Sequence, residues 1–129
     1  MGQQQLLLIV LGVIIVGIAV VVGINVFTAS STSSNRDAVI SDLTNLASMA
    51  QTYYRKPTAL GGGNNTFTGW TVPAQLDTTG NGTYALTTAG AQSIVITGTG
   101  NQTGNDGSAM VKVEMTVGPN TITKTDIKN

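Results

Sequence analysis

Hydrophobic and polar positions divide this chain into three stretches, each with its own period. From Leu6 to Ile24 every residue is Leu, Ile, Val, Ala or Gly, an unbroken run of 19. As a helix that run rises about 28 Å, close to the roughly 30 Å hydrocarbon thickness of a bilayer. It carries no polar stripe, so such a helix has no face to give to water. Asn25 is the first polar interruption, and Phe27 adds one more apolar contact beyond it.

The second stretch has helical spacing. Val39, Ile40, Leu43, Leu46, Ala47, Ala50, Tyr53 and Tyr54 recur at three- and four-residue intervals. Arg36, Asp37, Ser41, Asp42, Asn45, Ser48, Gln51 and Thr52 fill the positions between them. This predicts an amphipathic helix with one dry face, stopped by Pro57 and broken decisively by Gly61-Gly62-Gly63. The junction Thr28–Ser34 reads TASSTSS, whose hydroxyls compete for backbone groups. A break there would use Ser34 or Asn35 as a new N-cap. No Gly or Pro falls in it, so one continuous or gently bent helix to Tyr54 is expected.

Beyond Gly63 the period changes to two. Thr83–Thr87 follows the turn-forming Gly80-Asn81-Gly82, and Ser93–Thr97 follows Gly90. A loop rich in Gly, Asn and Asp is expected from Gly98 to Ser108. Met110–Val117 alternates cleanly, with Val111, Val113, Met115 and Val117 on one face and Lys112, Glu114 and Thr116 on the other. Gly118-Pro119-Asn120 makes a turn, and Thr121–Lys128 reads as a last strand. The expected fold class is α+β: a long N-terminal helix, then a small antiparallel meander of about four strands packed on the helix's C-terminal half. Leu43, Leu46, Ala50 and Tyr53 are its expected cover, meeting Val111, Val113 and Met115, with Phe67, Trp70, Val72 and Leu76 filling the connection. The segments are 1–54 (helix, with 1–27 the apolar part), 55–82 (connection) and 83–129 (sheet).

Composition sharpens the division. All six basic and six acidic side chains lie after Asn35, for a formal net charge of zero. No block of like charge offers a nucleic-acid footprint, so no nucleic-acid partner is expected. Cysteine and histidine are both absent. That removes disulfides, thiolate metal sites, and the commonest general base and metal ligand.

An uncharged N-terminus, an apolar helix, an amphipathic continuation and a small β-rich remainder resemble the type IV pilin superfamily. The likeness is carried by QQQLLLIVLGVIIVGIAVVVGINVF and the helix continuing to Tyr54. It implies a homopolymeric filament outside the cell, inserted in the inner membrane before assembly. It also implies subunits joined through bundled N-terminal helices, with Leu6, Leu7, Leu8, Ile9, Leu11, Ile14, Ile15, Ile18, Ala19, Val22, Gly23 and Phe27 in the filament core. Two features depart from the family's pattern. The basic leader that pilins lose on processing is not visible, so Met1 as the mature terminus, Gly2 as the vestige of a cleavage site and no processing are all open. The usual glutamate near the mature terminus is replaced by Gln3, Gln4 and Gln5. Amides need only neutral hydrogen-bond partners, where a buried carboxylate needs a charged one. The three glutamines are therefore expected either to cap one another across subunits or to form a polar cap at a membrane surface. Ala19 and Gly23, four residues apart, would let neighbouring helices approach closely.

The residues offer no nucleophile with a base, no carboxylate cluster and no phosphate loop, so an enzyme is not expected, nor a cofactor. Gly98, Gly100 and Gly104 lack the following helix that an anion cradle needs and read as a β-loop. Asp106 with Asn101 and Asn105 is thin support for calcium. Asn64, Asn81 and Asn101 each begin an Asn-x-Thr acceptor for N-linked sugar. A cleaved secretory signal fits poorly, because no basic residue precedes the apolar run and the cleavage site is weak around Thr28 and Ala29. The alternatives to a filament subunit are a single-span anchor displaying a small β-domain and a minor pilin or pseudopilin.

Overall fold

The computed structural model describes residues 2–128, with side chains through Lys124. Met1 and Asn129, the outermost residues of the expected first and last segments, lie outside the described residues. The chain divides into two compact units, an apolar unit ending at Ser31 and a sheet unit beginning at Thr32.

Helix α1 is assigned over Gln3–Arg55 and is helical through Thr28–Ser34. The hydroxyl-rich junction does not break it, and its one buried residue, Thr32, turns its hydroxyl to the sheet. The hydroxyl of Thr32 donates to Thr103 O at 2.8 Å, and the Asn35 side chain is taken up by the sheet. Pro57 ends the helix region, followed by a single 3-10 turn at Thr58–Leu60. The chain then folds back to satisfy the helix's last carbonyls: Gly63 N donates to Tyr53 O and Asn65 N to Tyr54 O, while Asn64 N donates to Lys56 O just past the helix end.

The sheet holds five antiparallel strands in the order β1-β2-β3-β4-β5. They are β1 (Thr78–Thr79), β2 (Gly82–Ala89), β3 (Ile94–Thr103), β4 (Met110–Val117) and β5 (Ile122–Lys128). It is a meander, one strand richer than expected. The additional strand, β1, lies inside the segment read as connection, where Thr78 and Thr79 pair with Thr83 and Gly82.

A second correction concerns the loop expected from Gly98. β3 runs on to Thr103, and only Gly104–Ala109 forms the turn, with Gly104 N donating to Ala109 O at 2.8 Å. Glycine reads as loop in a sequence because it weakens strands. Here its missing side chain is required. A Cβ on Gly98 would stand 2.7 Å from Cγ1 of Val39, and one on Gly100 would stand 2.0 Å from Oδ1 of Asn35. The helix rests directly on bare strand backbone.

The core of the sheet unit gathers Val39, Leu43, Leu46, Ala47 and Ala50 from α1 with Tyr84, Ile94, Ile96, Val111, Val113, Met115 and Val117 from the sheet. Phe67 and Trp70 from the connection complete it. The Tyr54 and Phe67 rings meet at 4.7 Å between centroids, tilted by 39°. The alternation along β4 is realised in its burial, with Val111, Val113, Met115 and Val117 inside and Lys112, Glu114 and Thr116 half-buried. An α+β layout with the element order of a pilin results.

Candidate functional site

The apolar unit presents the largest unsatisfied feature of the molecule. Its seventeen large apolar side chains between Leu6 and Phe27 are 52–72% exposed. Leu6, Leu7, Leu8, Ile9, Leu11, Ile14, Ile15, Ile18, Val22 and Phe27 all lie among them. Gln3, Gln4 and Gln5 precede them in the first turn and are exposed, as are Ala19 and Gly23. A Cβ at Gly12, Gly17 or Gly23 would meet nothing within 4 Å. Exposing so much aliphatic surface to water is unfavourable by an amount on the order of tens of kcal/mol, at about 1.5–3 kcal/mol for each fully transferred side chain. Among the described residues, α1 alone is long and apolar enough to cross a membrane. Its chemistry admits two kinds of cover: lipid chains, or apolar helices.

The sheet unit is held to its own part of α1 by polar clamps as well as by the core. Oδ1 of Asn35 accepts from Asn101 N at 3.0 Å and from Gln102 N at 3.3 Å, while its Nδ2 donates to Asn81 O at 2.9 Å. The two accepted bonds come from an irregularity in β3, where the register jumps from Thr99 opposite Lys112 to Thr103 opposite Met110. Backbone donors released by the irregularity are thus satisfied by the helix. At the other end of the helix, Gln51 Nε2 donates to Gly118 O at 3.1 Å, and Arg55 Nη2 reaches Asn120 Oδ1 at 3.2 Å.

One turn beyond Val39, Oδ2 of Asp42 accepts from Tyr84 Oη at 2.5 Å, from Asn81 Nδ2 at 3.1 Å and from Thr79 Oγ1 at 3.1 Å. Burial pushes this carboxyl up, but the three hydrogen bonds outweigh it and hold Asp42 below its ordinary value. Burial, and next the bond to Asp42, push the Tyr84 phenol well above its own. The cluster pins the β1–β2 hairpin to α1.

The expected packing residues Leu43, Leu46, Ala50, Trp70, Val111, Val113 and Met115 lie together in the buried cluster, with Tyr53 half-buried against it. The Tyr53 hydroxyl donates to Thr68 O at 2.8 Å. The clamps themselves were missed by pattern reading. Their signal was present: Thr32, Asn35 and Asp42 continue the three- and four-residue spacing of Val39, Leu43 and Leu46. Polar residues on a dry face mark hydrogen bonds across it.

The side chains of two further candidates are committed to other bonds. Oδ1 of Asp106 accepts from the backbone of Ser108 and Ala109 within its own turn, while Nδ2 of Asn101 donates to Gly80 O at 2.6 Å. Of the three acceptor asparagines, Asn64 and Asn101 are exposed and Asn81 is half-buried. No protein-family model, curated protein or solved structure matches this chain.

Proposed function

We propose that this chain is a structural subunit of an extracellular pilus-like filament, polymerising through its apolar N-terminal helix, and not a catalyst. One observation carries the reading: Leu6–Phe27 is exposed along its whole length and finds no cover in its own unit. A bilayer supplies cover before assembly, and sister helices supply it afterwards. The pilin-like order of apolar helix, amphipathic continuation and small antiparallel sheet supports the same reading. Gln3, Gln4 and Gln5 in this view exchange amide hydrogen bonds between subunits. Partners are further copies of the chain, and the assembly machinery is a separate matter.

A single-span anchor is the competing reading, favoured by the match between the apolar run and the bilayer thickness. Electron microscopy of material sheared from the surface of the source cells separates the two. Regular thin fibres containing this peptide are expected. Recovery of the chain only in detergent-extracted membranes, as a monomer, would leave the anchor standing in place of the filament.

A further inference from the structure

Three Asn-x-Thr sequences stand alike in the sequence, and the fold treats them differently. The amide of Asn81 donates to Asp42 Oδ2 at 3.1 Å, inside the cluster that also holds Tyr84 and Thr79. Its backbone is committed as well, since Asn81 N donates to Thr79 Oγ1 and Asn81 O accepts from Asn35. A sugar on that nitrogen would displace the hairpin from the helix. Asn101 sits in β3 with its amide on Gly80 O at 2.6 Å and its N–H on Asn35. Bulk there would push apart the two segments that Asn101 joins.

Asn64 is different. It lies on the surface turn after Gly61-Gly62-Gly63, and its side-chain amide makes no hydrogen bond among the described residues. Asn64 and its neighbour Asn65 both take positive φ, 52° and 65°, a conformation that asparagine tolerates better than most residues. The turn is anchored through its main chain: Asn64 N to Lys56 O at 2.9 Å, Asn65 N to Tyr54 O at 2.7 Å, and Asn65 O accepting from Gln92 Nε2 at 3.2 Å. Those bonds fix the main chain and leave the Asn64 amide pointing at no protein partner. Thr66, the third residue of the acceptor, keeps its hydroxyl in a local bond with Thr68.

We infer that Asn64 is the N-glycosylation site of this protein and that Asn81 and Asn101 remain unmodified. In the transfer, the Asn64 amide nitrogen attacks the anomeric carbon of a saccharide carried on a lipid pyrophosphate. The carbon–nitrogen bond forms, the carbon–oxygen bond to pyrophosphate breaks, and the lipid pyrophosphate leaves with the electron pair. The amide's proton passes to a base of the transferring enzyme. A neutral, strongly hydrated cover then screens an exterior that has few charges of its own. The inference rests on the proposed delivery of the sheet unit to the outer face of the membrane.

Intact-mass and peptide mapping of chain recovered from the source cells tests it, with microscopy of the same material reading the filament separately. The expected result is a mass above that of the polypeptide whose termini the peptide map defines (13.2 kDa for residues 1–129) by whole sugar residues, all of them on the peptide containing Asn64. Both Asn64→Gln and Thr66→Ala return the mass to the bare chain, and Asn81→Gln leaves the sugar in place. A bare mass on fibre-forming material overturns the glycan and spares the filament. Sugar on Asn81 or Asn101 overturns the choice of site. Absence of the chain from the cell surface defeats both readings.

Discussion

The hydroxyl of Tyr84 on β2 donates to Oδ2 of Asp42 on α1 at 2.5 Å, tying strand to helix at the edge of the core. A hydrogen bond to a charged acceptor contributes about 1.5–3 kcal/mol, and removing one partner leaves the other with its desolvation cost. Asp42→Ala and Tyr84→Phe are each expected to lower stability by about that amount. The double variant should lose less than the sum, because both changes delete one shared bond. Urea unfolding of the full chain in detergent, read by tryptophan fluorescence from Trp70, checks this. Strict additivity would show that the pair does not act as a unit.

The same pair sets the pH limits of the sheet unit. Asp42 is held below its ordinary 3.8, so its contribution is complete above that value and fades as pH falls through the lower folded value. Tyr84 is shifted above its ordinary 10.0. Its contribution is therefore complete below that value and is lost as pH rises through the higher folded one. Melting temperature should accordingly hold steady between the two and fall on either side. In Asp42→Asn the acid limb should flatten, because the neutral side chain has no proton to gain. An acid limb of unchanged steepness in that variant would place the sensitivity elsewhere.

Close approach at Gly98 makes a steric prediction. The nearest atoms to an added Cβ are Val39 Cγ1 at 2.7 Å and the Tyr84 ring at 3.0 Å. Gly98→Val should destabilise the sheet unit by about 1–3 kcal/mol through overpacking between helix and sheet. Gly80→Ala is the control, since a Cβ there meets nothing within 4 Å. Val39→Ala should partly restore Gly98→Val by opening space opposite it. Equal melting temperatures for Gly98→Val and the wild type would contradict the packing.

Charge placed in the apolar unit tests the proposed assembly. Ile15 lies near the middle of the run and is 57% exposed. A lysine at the centre of a membrane helix costs about 2.5–3.5 kcal/mol on insertion scales, and a cation facing packed apolar helices lacks a partner. Ile15→Lys should reduce membrane recovery severalfold and abolish fibres, while the near-ultraviolet circular dichroism of the sheet unit stays unchanged. Fibres of normal abundance from this variant would remove the apolar helix from the role given to it.

Much of the fold was legible because it follows from local periodicity. The run Leu6–Ile24, the three- and four-residue spacing to Tyr54 and the alternation of Met110–Val117 each announce an element without reference to any other part of the chain. The misreadings share one cause. Gly98 and Gly100 carry the signal of a loop, yet they sit in a strand because Val39 and Asn35 press against them. Thr78 and Thr79 have no apolar pattern, and they form a strand because the turn at Gly80-Asn81 brings them against Gly82 and Thr83. Continuity of the helix through Asn35, by contrast, is as expected, and only the folded chain shows that Asn101, Gln102 and Asn81 occupy its side chain.

Solvation alone, written into the residues, determines that Leu6–Phe27 needs cover and that the remainder can face water. Period determines helix and strand. Only tertiary structure decided which polar groups lock the helix to the sheet, and which acceptor asparagine is left free. Those outcomes depend on atoms far apart in the chain, such as Asp42 and Tyr84, and a hydrogen bond leaves no trace in either neighbourhood until folding brings its two ends together.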